Sequence, residues 1–290
     1  IHLTKRGEEL KASFQVTPGN TTGSLMMRAE AMINGKRHRH ALQTISYDHI
    51  PFQTLLPEAE AKLVRTDIQK AGQLVGYVQG AGDEIPDALR NMGYEVWVMK
   101  DEEVTQANLR RLDAVVLGIR ALNTNERIRH FMPDLLEYVK AGGTLITQYN
   151  TNGPLKADKF APYPMTLTRD RVTEENSEVR ILKPDHPALN YPNKIRPEDF
   201  SGWVQERGLY FPDKYDPAYE ALLSMNDAGE PARDGSLLVA RYGNGYYVYT
   251  GLSFFRELPE GVVGAYKLFA NLTSLGKQSK PQNQKVKPKK

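Results

Sequence analysis

Along residues 24–33 the side chains alternate. Leu25, Met27, Ala29, Ala31 and Ile33 fall on one side, and Met26, Arg28, Glu30 and Met32 on the other. A period of two marks a strand with one buried face. Asn34-Gly35 follows, the favoured pair of a type I′ hairpin turn. Residues 41–47 and 61–68 are two more strand-like runs, separated by Pro51 and Pro57. No helical stripe interrupts them. Residues 1–68 are therefore expected to form a small, incomplete β-sandwich whose remaining strands would precede Ile1. Residues 69–73 (QKAGQ) read as a linker.

From Leu74 the rhythm changes. Residues 74–79 (LVGYVQ), 94–99 (YEVWVM), 113–119 (DAVVLGI) and 144–149 (TLITQY) are short apolar runs. Helical patterns lie between them. Ile85, Leu89 and Met92 share a face, closed by Gly93, and Thr105 caps a short helix carrying Leu109 and Leu112. Ile128, Met132, Leu135 and Val139 form a stripe that Pro133 should interrupt and Gly142-Gly143 should end. Strands alternating with helices predict a parallel sheet with right-handed crossovers. Residues 151–235 carry many prolines and charges, with strand-like runs at 179–182 and 221–225. Residues 236–242 and 245–250 flank Gly243-Asn244 as a hairpin, and a last helix covers about 260–275. The expected organisation is a β segment over 1–68, an α/β domain over 69–275 and a disordered tail over 276–290.

Composition narrows the chemistry. The 290 residues carry 38 Lys+Arg against 35 Asp+Glu, a net charge of +3. Six of those lysines lie in residues 277–290, which hold no acid. The rest has 32 basic and 35 acidic residues, a net −3. A body of that sign does not predict nucleic-acid binding. No apolar run approaches the ~18 residues of a membrane span. There is no cysteine, which excludes disulfides, thiolate metal sites and cysteine nucleophiles. No Walker A, HExxH or GxSxG motif occurs. His38 and His40 sit among positive charges in KRHRH and His186 stands alone, so no metal is expected.

Ligands of open parallel sheets sit beyond the carboxyl ends of the strands. The loops there offer Gln79, Gly80, Asp83 and Glu84, then Arg120, then Gln148, Tyr149, Asn150 and Asn152. Gly80-Ala81-Gly82 lacks the third glycine of a nucleotide fingerprint, and two acids would repel phosphate. It reads either as a polar-ligand turn or as an ordinary βα turn. Arg120 either binds a ligand or pairs with an acid. The amides and tyrosine suit a polyol, or they cap loops. Arg169, in Arg169-Asp170-Arg171, is an anion clamp or part of a salt-bridged strand. Glu206 completes the set with Arg256 and Glu257, which follow the final strand and whose plainer reading is a local ion pair. Trp203 is a stacking platform or a packing residue.

The βα order, with residues 138–146 (YVKAGGTLI), Asp185-His186-Pro187 and the hairpin of residues 240–250, resembles the ThuA-like group of the class I glutamine amidotransferase-like superfamily. That resemblance implies a flavodoxin-like, doubly wound, mainly parallel sheet. GYVQGAGDEIP, GIRA, QYNTN, RDRVTEE, WVQERG and FFRELP resemble the C-terminal region of large bacterial PIG-L/LmbE-type deacetylases. In those, a zinc-binding domain that removes N-acetyl groups from amino sugars comes first. Its metal motif is absent here. The resemblance also places the amidotransferase nucleophile near Tyr149, where this chain has no cysteine, so glutamine thioester chemistry is excluded.

Three readings follow. The first is a non-catalytic accessory or glycan-binding region, without cofactor, serving the deacetylase domain of a parent chain. The second is a cysteine-free carbohydrate-active enzyme using Asp83, Glu84 or Glu206 as acid or base. The third is a structural or dimerisation domain.

Overall fold

In the computed structural model the described residues are Lys5 and residues 7–277. The expected tail from residue 278 onward lies outside them. The chain divides into two compact units, residues 1–67 and 68–290.

The first unit is all strand: β1 (Gly23–Arg28), β2 (Ala31–Ile33), β3 (Lys36–His38), β4 (Gln43–Tyr47), β5 (Ile50–Leu55) and β6 (Glu60–Arg65). They pair as three separate antiparallel ribbons, β1 with β6, β2 with β3 across Asn34-Gly35, and β4 with β5. Among the described residues the expected sandwich is not formed. A sandwich needs two sheets packed over a shared core, and none of the described residues of this unit is buried. Leu25, Met32, Phe52 and Leu56 are all more than half exposed.

The second unit is an α/β domain. Its elements run β7 (Leu74–Val78), α1 (Ile85–Asn91), β8 (Glu95–Met99), α2 (Gln106–Leu109), β9 (Ala114–Leu117), α3 (Ala121–Thr124), α4 (Ile128–Ala141) and β10 (Thr144–Gln148). There follow β11 (Met165–Val172), β12 (Arg180–Ile181), β13 (Gly208–Tyr215), β14 (Tyr219–Ala221), β15 (Leu223–Ser224), β16 (Leu237–Tyr242), β17 (Gly245–Thr250), α5 (Phe254–Glu257) and α6 (Val263–Ser274). One seven-stranded sheet has the order β14-β16-β17-β10-β9-β7-β8. Five of its strands are parallel. In chain order they lie 2-1-3-4-5, the flavodoxin-like arrangement. The β16–β17 hairpin and β14 extend one edge antiparallel.

Alternation along each strand builds two cores. Val75, Val116, Ile146 and Val248 face one side, against Ile85 and Leu89 of α1 and Leu268, Phe269 and Leu272 of α6. Val115, Leu117, Leu145 and Tyr247 face the other, against Leu135 and Val139 of α4. Both faces are covered, which is why the parallel strands read as continuous apolar runs.

One local expectation fails. Helix α4 passes straight through Pro133. Both Pro133 and Arg129, whose carbonyl loses its helical partner, are exposed, so the missing bond falls on the solvent face of the helix. The Pro-rich stretch contains a long bulged ribbon, β11 paired antiparallel with β13. Its bulges break the period-two pattern by which a strand is recognised.

Candidate functional site

The parallel sheet changes direction of growth between β7 and β9, the place where a crevice is expected. Here the protein closes it. A Cβ on Gly80 would lie 2.1 Å from the Ile119 carbonyl oxygen, so that glycine is required by close approach. The Ala81 N–H donates to the same carbonyl at 2.8 Å. Asp83 ties the two loops together. Its Oδ1 accepts from the Tyr77 hydroxyl at 2.7 Å and the Ile85 N–H at 3.1 Å. Its Oδ2 accepts from the Ile119 N–H at 2.9 Å and from Gln148 Nε2 at 3.4 Å. Burial, then the Asp83 charge, pushes the Tyr77 phenol far above its ordinary range. Gln79 and Glu84 are exposed on the flanks.

The amide cluster is also turned inward. Asn150 is fully buried; its Oδ1 accepts from the Leu122 N–H at 2.8 Å and its Nδ2 donates to the Gln148 carbonyl at 2.9 Å. Gln148 is buried, with Nε2 directed to the Leu117 carbonyl at 3.3 Å and Oε1 without a partner. Asn152 and Arg169 are exposed. Beside Arg169, Asp170 pairs with Arg233 at 2.8 Å.

One strand over, beyond the carboxyl ends of β9, β10 and β17, a different group converges. Tyr149, directly after β10, stacks on Tyr210 of β13, with centroids 6.1 Å apart and planes 9° from parallel. Phe255 of α5 tilts against Tyr149 at 5.1 Å. The Arg256 guanidinium lies 4.8 Å from the Phe255 centroid, and its Nε is 2.9 Å from Glu206 Oε1. Arg120 joins from β9, its N–H donating to the Tyr149 carbonyl at 2.8 Å. Burial raises the Tyr149 phenol above its ordinary range, while the Arg120 and Arg256 charges pull it down.

Arg120 is the unusual member. Its φ of 56° and ψ of 20° are left-handed, a conformation costing roughly 1–2 kcal/mol for a residue with a Cβ. Its Nε is buried without a hydrogen-bond partner, and no ion pair includes it among the described residues. Gln205 and Tyr210 also have positive φ. Strained residues gathered in one place mark functional sites more often than chance.

The loop that carries Gln205 and Glu206 is anchored from beneath. Buried Arg207 donates through Nε and Nη2 to the Ser177 carbonyl at 3.0 and 2.7 Å, and through Nη1 to Phe200. Fully buried Glu257 accepts from the Val204 N–H at 2.9 Å and meets Ser253 Oγ at 3.1 Å. Ser253 Oγ also lies 2.6 Å from the Glu206 carbonyl. The hydroxyl is shared between the Glu257 carboxyl and the Glu206 carbonyl, and the Val204 N–H, Ser253 and the Arg207 and Arg256 charges all favour the ionised Glu257, against its burial. Burial outweighs them and raises the Glu257 carboxyl from 4.5 to about 7.

Trp203 is buried between Phe200 and Phe254, with its indole N–H on the Asp199 carbonyl, so it packs. His186 is buried, and its Nδ1 accepts from the Ala188 N–H; burial lowers its pKa. No group of three His, Asp or Glu able to hold a metal occurs among the described residues. Nor is any helix there long and apolar enough to cross a membrane. Tyr210 and Phe255 were not singled out from the sequence. The FFRE run hinted at Phe255. Nothing local distinguishes Tyr210, whose role depends on the β11–β13 ribbon.

No protein-family model and no curated protein matches the chain. Among solved structures, a cytoplasmic protein from Salmonella typhimurium is 17% identical, over 87% of this chain and 95% of its own, with TM-score 0.46. A protein described as ThuA-like from Bacteroides uniformis is 12% identical, over 72% and 93%, with TM-score 0.44. A GMP synthase-like protein from Thermoplasma acidophilum is 10% identical, over 72% and 96%, with TM-score 0.44. Identities this low do not bear on activity, and at these TM-scores the fold rests on its own strand order.

Proposed function

We propose that this chain is a non-catalytic binding region that takes a glycan or amino sugar at the carboxyl edge of its sheet, in the service of a PIG-L/LmbE-type de-N-acetylase domain of a parent chain. The deacetylase context, like the ThuA-like and amidotransferase-like assignment, rests on the sequence resemblance. The observation that carries the binding reading is Arg120. A left-handed residue whose buried Nε has no hydrogen-bond partner puts its charge near Tyr149, whose ring packs with Tyr210 and Phe255. Phe255 in turn lies under Arg256 of the Arg256–Glu206 pair. Rings offer CH–π surface to a sugar face, while guanidinium and carboxylate take hydroxyls.

The acid–base enzyme reading draws on one observation, the raised Glu257 carboxyl close to Glu206 through Ser253. Against it, Glu257 is fully buried and holds the chain at Val204 and Ser253, and Glu206 is paired with Arg256. Asp83 serves as a loop tie and Glu84 faces solvent, which leaves no facing acid pair.

Isothermal titration of the whole chain with glucosamine, N-acetylglucosamine and chitooligosaccharides tests the proposal. Binding that weakens at least about tenfold in Arg120→Ala, the loss of one charge-assisted contact, supports it. No heat at millimolar ligand, or binding indifferent to Arg120, contradicts it.

A further inference from the structure

The α/β unit holds a cleft of about 610 Å³ built from residues 158–166 and 214–216. That lies within the roughly 300–1,000 Å³ typical of small-ligand sites. It is separate from the carboxyl-edge patch. Strand β13 starts beside the end of β17, where Leu209 N–H bonds the Gly251 carbonyl, and reaches Tyr215 of the cleft about 20 Å further on. The cleft's Tyr163 is tied instead to Arg241, at the turn before β17.

The walls are fixed. The Tyr219 hydroxyl donates to the Tyr163 carbonyl at 2.9 Å, and the Tyr163 hydroxyl donates to the Arg241 carbonyl at 3.0 Å. Tyr163 packs edge-on against Tyr219 and Tyr242, and Tyr215 edge-on against Tyr219. The Asp216 N–H joins the two walls by donating to the Pro164 carbonyl at 3.0 Å, and the Asp216 carboxylate is held by the Ala218 N–H at 2.9 Å. What remains for a ligand is distinct. Lys159 and Lys214 are exposed at the cleft with no ion pair among the described residues. Asp158 is exposed at the same rim. Phe160, Pro162 and Tyr215 supply apolar surface.

We infer that this cleft is a second binding site, for a short acidic oligosaccharide such as a uronic-acid di- or trisaccharide. The ammonium groups of Lys159 and Lys214 take the sugar carboxylates, Asp158 takes hydroxyls, and the aromatic and proline walls take the sugar faces. This stands independently of the carboxyl-edge reading, because the two sites share no residue.

The test is titration of the whole chain with trigalacturonate and with a neutral trisaccharide of the same length. Binding of trigalacturonate is expected to weaken about tenfold or more in Lys159→Ala/Lys214→Ala, a double surface variant, and to fall with added salt. The expected change in Arg120→Ala is less than twofold. Three results overturn the inference: no trigalacturonate binding at millimolar concentration, equal affinity for the neutral trisaccharide, or binding that survives the lysine variant and disappears in Arg120→Ala.

Discussion

Replacing Glu257 by Gln tests the anchor under the carboxyl-edge patch. In the folded chain this carboxyl titrates at about 7, against 4.5 when free. Below pH 4.5 both states hold the proton and the stabilisation is complete. Between 4.5 and 7 the unfolded chain loses its proton while the folded one keeps it, so stability falls as pH rises, and above 7 the stabilisation is gone. A difference of about 2.5 pH units corresponds to about 3 kcal/mol as an upper value. In Glu257→Gln the new side chain retains both contacts, its carbonyl accepting from Val204 and its amide donating to Ser253, and it does not ionise. Urea unfolding of both proteins at several pH values from 4.5 to 8 measures the difference. The wild type is expected to lose up to about 3 kcal/mol relative to Glu257→Gln across that range. Parallel curves, or a wild type that gains on the variant as pH rises, would show that Glu257 is ionised in the fold and refute the reasoning.

Arg120→Gly relieves a left-handed residue and is expected to raise stability by about 0.5–1 kcal/mol while weakening glycan binding by about tenfold or more; a thermal melt and a titration on the same sample read both. Asp83→Ala leaves the Tyr77 hydroxyl and the Ile119 N–H without their acceptor and should cost about 2–4 kcal/mol, read by urea midpoint. Gly80→Ala forces a Cβ onto the Ile119 carbonyl, and its expected loss of at least about 2 kcal/mol appears in the same assay.

The parallel strands, their helices and the Gly243-Asn244 hairpin were legible because buried β-runs and amphipathic stripes leave strong local patterns. Both edges of that legibility have physical causes. In the first unit the alternating run over 24–33 is broken into β1 and β2, with different partners, and β5 runs through Pro51; burial needs a partner surface that alternation does not specify, and Leu25 and Phe52 remain exposed. The β11–β13 ribbon is bulged, so its register hides from a period-two reading. At the site, Arg120 and Arg256 could be named from strand ends alone. Whether Asp83 points to a ligand or into the protein depends on donors from Tyr77, Ile119 and Gln148, up to 65 residues away. Tyr210 reaches Tyr149 only because the ribbon folds back, which no local motif announces.

The patch around Arg120, Tyr149 and Tyr210 is proposed to bind a sugar. The most direct measurement is backbone and side-chain NMR of the whole chain titrated with chitotriose. Saturable shifts centred on Arg120, Tyr149, Tyr210 and Phe255, lost in Arg120→Ala, are the predicted result. Shifts confined elsewhere, or none at millimolar sugar, would contradict it.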